Sequence, residues 1–122
     1  TLGNATNWGP VFPAAWNGGC ATSSDSGRGV FHISDTSPPA GYNVTMEYIT
    51  IQTPADALDY GDLLAGHNAT AGKISNGVRG CIAGGYPAVT NIDMFDFAST
   101  GNSTDFGNLS VGRSMMDGIS GD

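Results

Sequence analysis

Two stretches of this chain repeat each other, and that constrains the fold more than any single residue does. The segment "TPADALDYGDLLAGH", Thr53 to His67, aligns with "STGNSTDFGNLSVGR", Ser99 to Arg113, at an offset of 46 residues. Asp59-Tyr60-Gly61-Asp62-Leu63 overlays Asp105-Phe106-Gly107-Asn108-Leu109. A third copy, Gly3 to Val11, places Trp8-Gly9 at an offset of 52 from the middle one. The shared pattern is Asp or Asn, an aromatic, Gly, any residue, then an apolar residue. A second block also recurs: Arg28-Gly29-Val30-Phe31 matches Arg79-Gly80-Cys81-Ile82 at an offset of 51. Each is followed by a turn-rich stretch and a strand-like run, "MEYITIQ" from Met46 and "IDMFDFA" from Ile92. Self-similarity at such a period is the signature of supersecondary units that stack on their neighbours, with loops of variable length between constant strands.

The frame reads half, whole, whole: a half repeat over 1–26, a repeat over 27–77 and a repeat over 78–122, within one all-β domain. Four strands per unit are expected. In the middle copy they fall at about Gly29–Ser34, Met46–Thr53, a short segment around Asp62–Ala65, and Ala69–Ser75. Ile49 and Ile51 alternate with Met46 and Tyr48, and Phe95 and Phe97 alternate with Ile92 and Met94, so both faces of these strands are apolar. Such a sheet is covered on both sides. No segment sustains an apolar i, i+3, i+4 pattern with caps, so helices are not expected. The expected fold is antiparallel sheets built from repeats of about 46–52 residues, resembling propeller blades, with a β-sandwich as the alternative. The aromatics Trp8, Tyr60 and Phe106 are expected to be buried equivalents, each beside a Gly that lets backbones approach closely.

Composition narrows the partners. Lys and Arg total 4 against a net charge of −7, which leaves no electrostatic footprint for nucleic acid. Hydrophobic residues make up 39%, in short β-type runs, which argues against disorder. No run approaches a membrane span, and no secretory leader is visible. A chain that starts at Thr1 is expected to have lost a leader or to belong to a longer product. Cys20 and Cys81 show neither CxxC nor Cys/His metal spacing, so they are two thiols or one bridge.

The residues that could carry chemistry each have a plainer reading. Asp56, Asp59 and Asp62 could bind calcium, but their counterparts in the other copies include Asn102, Asn108 and Pro10. Turn residues that bond their own backbone explain them better than a metal site does. His32 and His67 are the only histidines, and no G-x-S-x-G or HExxH motif accompanies them, so no catalytic residues, metal or cofactor are expected. Arg28 and Arg79 stand at equivalent places and are expected to bond carbonyls or a recurring Asp between units. Asn4, Asn43, Asn68, Asn102 and Asn108 begin Asn-x-Ser/Thr triplets. In a secreted protein they are candidate glycosylation sites; in a bacterial or phage product they are simply part of the repeat. Trp16, Tyr42 and Tyr86 are aromatics able to stack on sugars.

The strings "GNSTDFGNLSVGRSMMDGIS" and "RGCIAGGYPAVTNIDMFDFAST" resemble a repeat in structural proteins of marine and freshwater phages, cyanophages especially. The last copy, Arg79 to Arg113, matches this pattern well. The middle copy departs from it: His67 stands at the Arg113 position, and Ile33 where Gly84 begins a Gly-Gly-Tyr element. The opening copy matches only at Gly3–Val11. The resemblance implies a virion, tail-fibre or appendage role, with no catalytic residues. The expected function is therefore a structural subunit of a virion appendage or decoration, or of an extracellular filament, self-assembling through β-strand edges. Its expected partners are itself, other virion proteins or cell-surface glycans. The alternative is a module that binds a cell-surface glycan or receptor.

Overall fold

The computed structural model describes residues 7, 9, 21–23, 27–32, 42–67 and 71–120. Eight strands run through them: β1 (Ala21–Ser23), β2 (Arg28–His32), β3 (Thr45–Thr50), β4 (Leu58–Asp62), β5 (Gly72–Ser75), β6 (Arg79–Ala83), β7 (Asn91–Asp96) and β8 (Thr104–Asn108). They form two four-stranded antiparallel sheets, each with its strands side by side in chain order, β1 to β4 and β5 to β8. The described residues contain no helix, and none long and apolar enough to cross a membrane. The architecture is all-β, as the strand-length apolar runs predict.

The sheets are offset from the units 27–77 and 78–122, since β1 precedes residue 27 and β5 precedes residue 78, but their strands correspond one to one and the agreement extends to register. Arg28 pairs with Thr50 and His32 with Met46; at the corresponding places Arg79 pairs with Asp96 and Ala83 with Ile92. A β-bulge lies between Met46 and Glu47, and its counterpart lies between Ile92 and Asp93. The connecting bonds repeat as well. Ile51 N donates to Gly27 O as Phe97 N does to Val78 O, and Leu63 N donates to Val44 O as Leu109 N does to Thr90 O. The bulge adds local twist and sets which side chains of the third strand face the neighbouring sheet.

Two strands differ from the sequence expectation. The fourth strand of the middle unit is Leu58–Asp62, upstream of the expected Asp62–Ala65 segment, because Gly61 lies in the ladder opposite Met46, Asp59 opposite Glu47 and Leu58 opposite Tyr48. Gly72–Ser75 opens the second sheet instead of closing the first, since its hydrogen-bonding partner is Arg79–Ala83. The sheets thus occupy Ala21–Asp62 and Gly72–Asn108. Ala69 and Thr70, expected at the start of this strand, lie outside the described residues.

The core sits between the sheets. Val30, Met46, Tyr60 and Leu63 from the first pack with Ala71, Ile82, Phe95 and Phe97 of the second, and Val44 and Tyr48 flank them. An edge-to-face ring series crosses the boundary: Tyr48–Tyr60 at 6.1 Å, Tyr60–Phe95 at 5.5 Å and Phe95–Phe97 at 5.3 Å between centroids. Each such pair contributes about 0.5–1.5 kcal/mol beyond the area it buries. The Phe95 ring lies over its cross-strand partner Gly80, where any side chain would collide with it. That contact is the physical reason for a Gly in the Arg-Gly block of this copy.

Candidate functional site

The repeat places an aromatic followed by Gly in the last strand of each sheet, and the two copies meet different fates. Tyr60 is 2% exposed. Its hydroxyl donates to the carbonyls of Asp96 and Ser99, and burial, with Asp96 nearby, pushes its phenol above the ordinary tyrosine pKa. Phe106 is 60% exposed. The expectation that Tyr60 and Phe106 are buried equivalents therefore holds for Tyr60 and is corrected for Phe106. The cause is positional: the second sheet covers Tyr60, and no described sheet follows Phe106. Trp8 lies outside the described residues.

The adjoining glycines follow the same division. Gly9, Gly61 and Gly107 all have positive φ, at 129°, 139° and 142°. A Cβ on Gly61 would strike the backbone of Gly101 and Asn102, and one on Gly9 would strike Ala55 and Asp56, which are Gly101 and Asn102 shifted by one repeat. A Cβ on Gly107 would meet nothing within 4 Å. The described part of the opening copy is thus seated on the first sheet as the first is seated on the second, and among the described residues no sheet covers the far side of the second.

Main-chain bonds define this joint. Gly101 N donates to Tyr60 O at 2.7 Å and Ser103 N to Asp62 O at 2.8 Å, while Asp62 N donates to Asn102 Oδ1 at 3.0 Å. The outer edge of β4 is therefore satisfied by the segment leading into β8. The matching groups on β8, the edge strand of the second sheet, are Phe106 C=O, Asn108 N–H and Asn108 C=O. Unpaired groups on an edge strand are a template for another chain.

Side chains on the open face complete the comparison. Val30, Tyr48 and Tyr60 of the first sheet pack against the second. Their counterparts Cys81, Met94 and Phe106, with Ile74, Arg79 and Ile119, line an open cleft of about 290 Å³. Arg28 donates to Phe97 O of the other sheet at 2.8 Å, as a bond between units requires, and its guanidinium lies 4.8 Å over the Tyr48 ring. Arg79 is exposed beside Met94 in this cleft. Cys81 is a half-buried free thiol whose pKa burial raises; Cys20 lies outside the described residues.

A second cluster is internal. The His32 and His67 rings meet edge to face with centroids 4.7 Å apart, and His32 Nε2 lies 3.1 Å from Asn43 O. Burial, reinforced by the nearby charges of His67 and Lys73, holds His32 to a pKa of about 4. Asp93 accepts from Ser103 Oγ at 3.1 Å and Leu64 N at 3.4 Å, and its burial raises its pKa. Lys73 Nζ donates to Ala71 O at 3.2 Å. All four ionisable side chains are buried, and no group of His, Cys, Asp and Glu suited to a metal occurs among the described residues. This cluster fastens the sheets from within. Sequence reasoning weighed the histidines only for catalysis. The available signal was that His32 and His67 both depart from their counterparts Ala83 and Arg113, in the same copy.

The remaining candidates are dispersed. Asp56 and Asp59 are exposed and Asp62 half-buried in the joint. Asn102 and Asn108 are exposed, with Asn102 bound to Asp62 N and Asn108 Oδ1 accepting from Thr90 Oγ1 at 3.1 Å. Asn43 is half-buried and its Oδ1 accepts from Thr45 N at 2.9 Å, a local turn bond. Asn4, Asn68 and Trp16 lie outside the described residues, whereas Tyr42 and Tyr86 are exposed on connections. Comparison with protein-family models, with curated proteins and with solved structures returned no match.

Proposed function

We propose that this protein is a structural subunit that assembles with itself, in a virion appendage or decoration or in an extracellular filament. The observation that carries the reading is the contrast between Tyr60, covered by the next sheet, and Phe106, the same position left bare. A solvated aromatic on an edge strand is costly to maintain in isolation and is satisfied by a further unit. The repeat's resemblance to phage structural proteins supports the virion setting. Sedimentation velocity over a wide concentration range is the test. The expected result is a mass that rises with concentration. A monomer at every concentration sets the reading aside.

The exposure of Tyr42 and Tyr86, at 48% and 53%, favours a second reading, a module that stacks sugar rings on loop aromatics. Retention of a glycan on an array by a monomeric protein, lost in Tyr42→Ala or Tyr86→Ala, would select it.

A further inference from the structure

We propose that copies of this chain join head to tail, the Phe106–Gly107–Asn108 edge of one receiving the Gly3-Asn4-Ala5-Thr6 segment of the next. The inference rests on the self-assembly reading and adds the surface, the occupant and the polarity.

The occupant follows from the joint already made. The edge Tyr60–Gly61–Asp62 takes Gly101, Asn102 and Ser103 through two backbone donors and one side-chain acceptor. It does so across a glycine that leaves no room for a Cβ. The edge Phe106–Gly107–Asn108 offers the same three main-chain groups and the same positive φ, with open space above Gly107. What it needs is another segment of the Gly101–Thr104 type, "GNST". Besides Gly107–Ser110, which belongs to the edge itself, the chain contains one further Gly-Asn-x-Ser/Thr string, "GNAT" at Gly3–Thr6, five residues ahead of Trp8 as "GNST" is five ahead of Phe106. Gly3–Thr6 lies outside the described residues and is named on its sequence. The other counterpart, Ala55-Asp56, is already engaged by Gly9.

The side chains agree. Cys81, Met94 and Phe106 form an apolar floor, and Arg79 stands where Arg28 stands in the first sheet, ready to donate to a carbonyl of the incoming copy. Head and tail are different surfaces, so the contact is heterologous and propagates as a filament or closes as a ring. Main-chain bonds of this sort are those of β-strand addition.

The test uses two full-length variants with one end spoiled in each. Deleting residues 1–6 removes the head and leaves the tail. Phe106→Asp spoils the tail and leaves the head; since Phe106 is exposed, the fold is expected to persist, as circular dichroism checks. Val111→Asp, at an exposed site outside the cleft, is the control and assembles normally. Each end variant alone should stay monomeric in sedimentation at concentrations where the parent assembles. Mixed one to one, the two should form a dimer and nothing larger, because a single competent head meets a single competent tail. If the head-deleted chain still assembles alone, the tail pairs with itself and the head-to-tail joint is wrong. If both variants assemble like the parent, the joint lies elsewhere while the self-assembly reading stands. If the parent is itself monomeric throughout, that reading falls, and this inference with it.

Discussion

The Tyr60 hydroxyl donates to the carbonyl of Ser99 at 2.8 Å, fastening the last strand of one sheet to the turn that follows the third strand of the next. Tyr60→Ala removes the ring, its edge-to-face partners and this bond. It should cost about 3–5 kcal/mol in urea unfolding, and Tyr60→Phe about 1 kcal/mol. Phe106→Ala in the dilute protein should stay within about 0.5 kcal/mol, the range of a surface change. Equal losses for Tyr60→Ala and Phe106→Ala would mean that the two positions are packed alike.

The paired glycines give a second contrast. Gly61→Ala meets both an unfavourable positive φ and the backbone of Gly101, whereas Gly107→Ala meets only the φ. The backbone term alone is about 1–3 kcal/mol, so Gly61→Ala should destabilise the protein distinctly more than Gly107→Ala. Chemical denaturation of the two variants at one low protein concentration decides it.

Acid should loosen the joint between the sheets. Unfolded, His32 takes up a proton near pH 6.5; folded, it does so only near pH 4. Above pH 6.5 the residue is neutral in both states and has no effect. Between pH 6.5 and 4 the unfolded chain binds a proton that the folded protein refuses, so stability falls by about 3 kcal/mol across that window and levels off below it. Asp93 acts in the opposite sense. Its raised pKa adds stability that is complete below its ordinary value of 3.8 and is lost as the pH rises. Urea midpoints measured from pH 8 to pH 4 should therefore fall through the histidine window. The slope should be shallower in His32→Ala, which installs the residue found at the corresponding Ala83. An unchanged slope would assign the effect to other groups.

Cys81 reports on the open cleft. Burial raises its thiol pKa, so alkylation by iodoacetamide, mapped to its peptide by mass spectrometry, should be slower than for an unstructured cysteine and should accelerate toward alkaline pH. If copies assemble as proposed, alkylation should slow further on concentrating the protein, because the cleft would be covered. Finding Cys81 in a disulfide would contradict its state as a free thiol.

The all-β architecture and the repeat were legible because strand-length apolar runs and recurring Gly positions are local signals. The grouping of strands into sheets was not. Gly72–Ser75 falls at the end of the middle copy in sequence, but its partner strand belongs to the next copy, and sequence position within a copy does not decide pairing. Phe106 was misplaced for a related reason. A repeat alignment shows which positions are equivalent but not whether a neighbour exists to cover them. His32 and His67 carry no motif, and their contact became visible only when the sheets brought the strand and the connection together.

The connection between β2 and β3 exceeds that between β6 and β7 by the full difference between the offsets of 51 and 46, yet the flanking ladders keep one register and one bulge. Length at that point is thus decoupled from the stack. An epitope or affinity tag inserted ahead of Tyr42, upstream of the Asn43 and Val44 bonds to His32 and Leu63, is expected to leave both ladders in register.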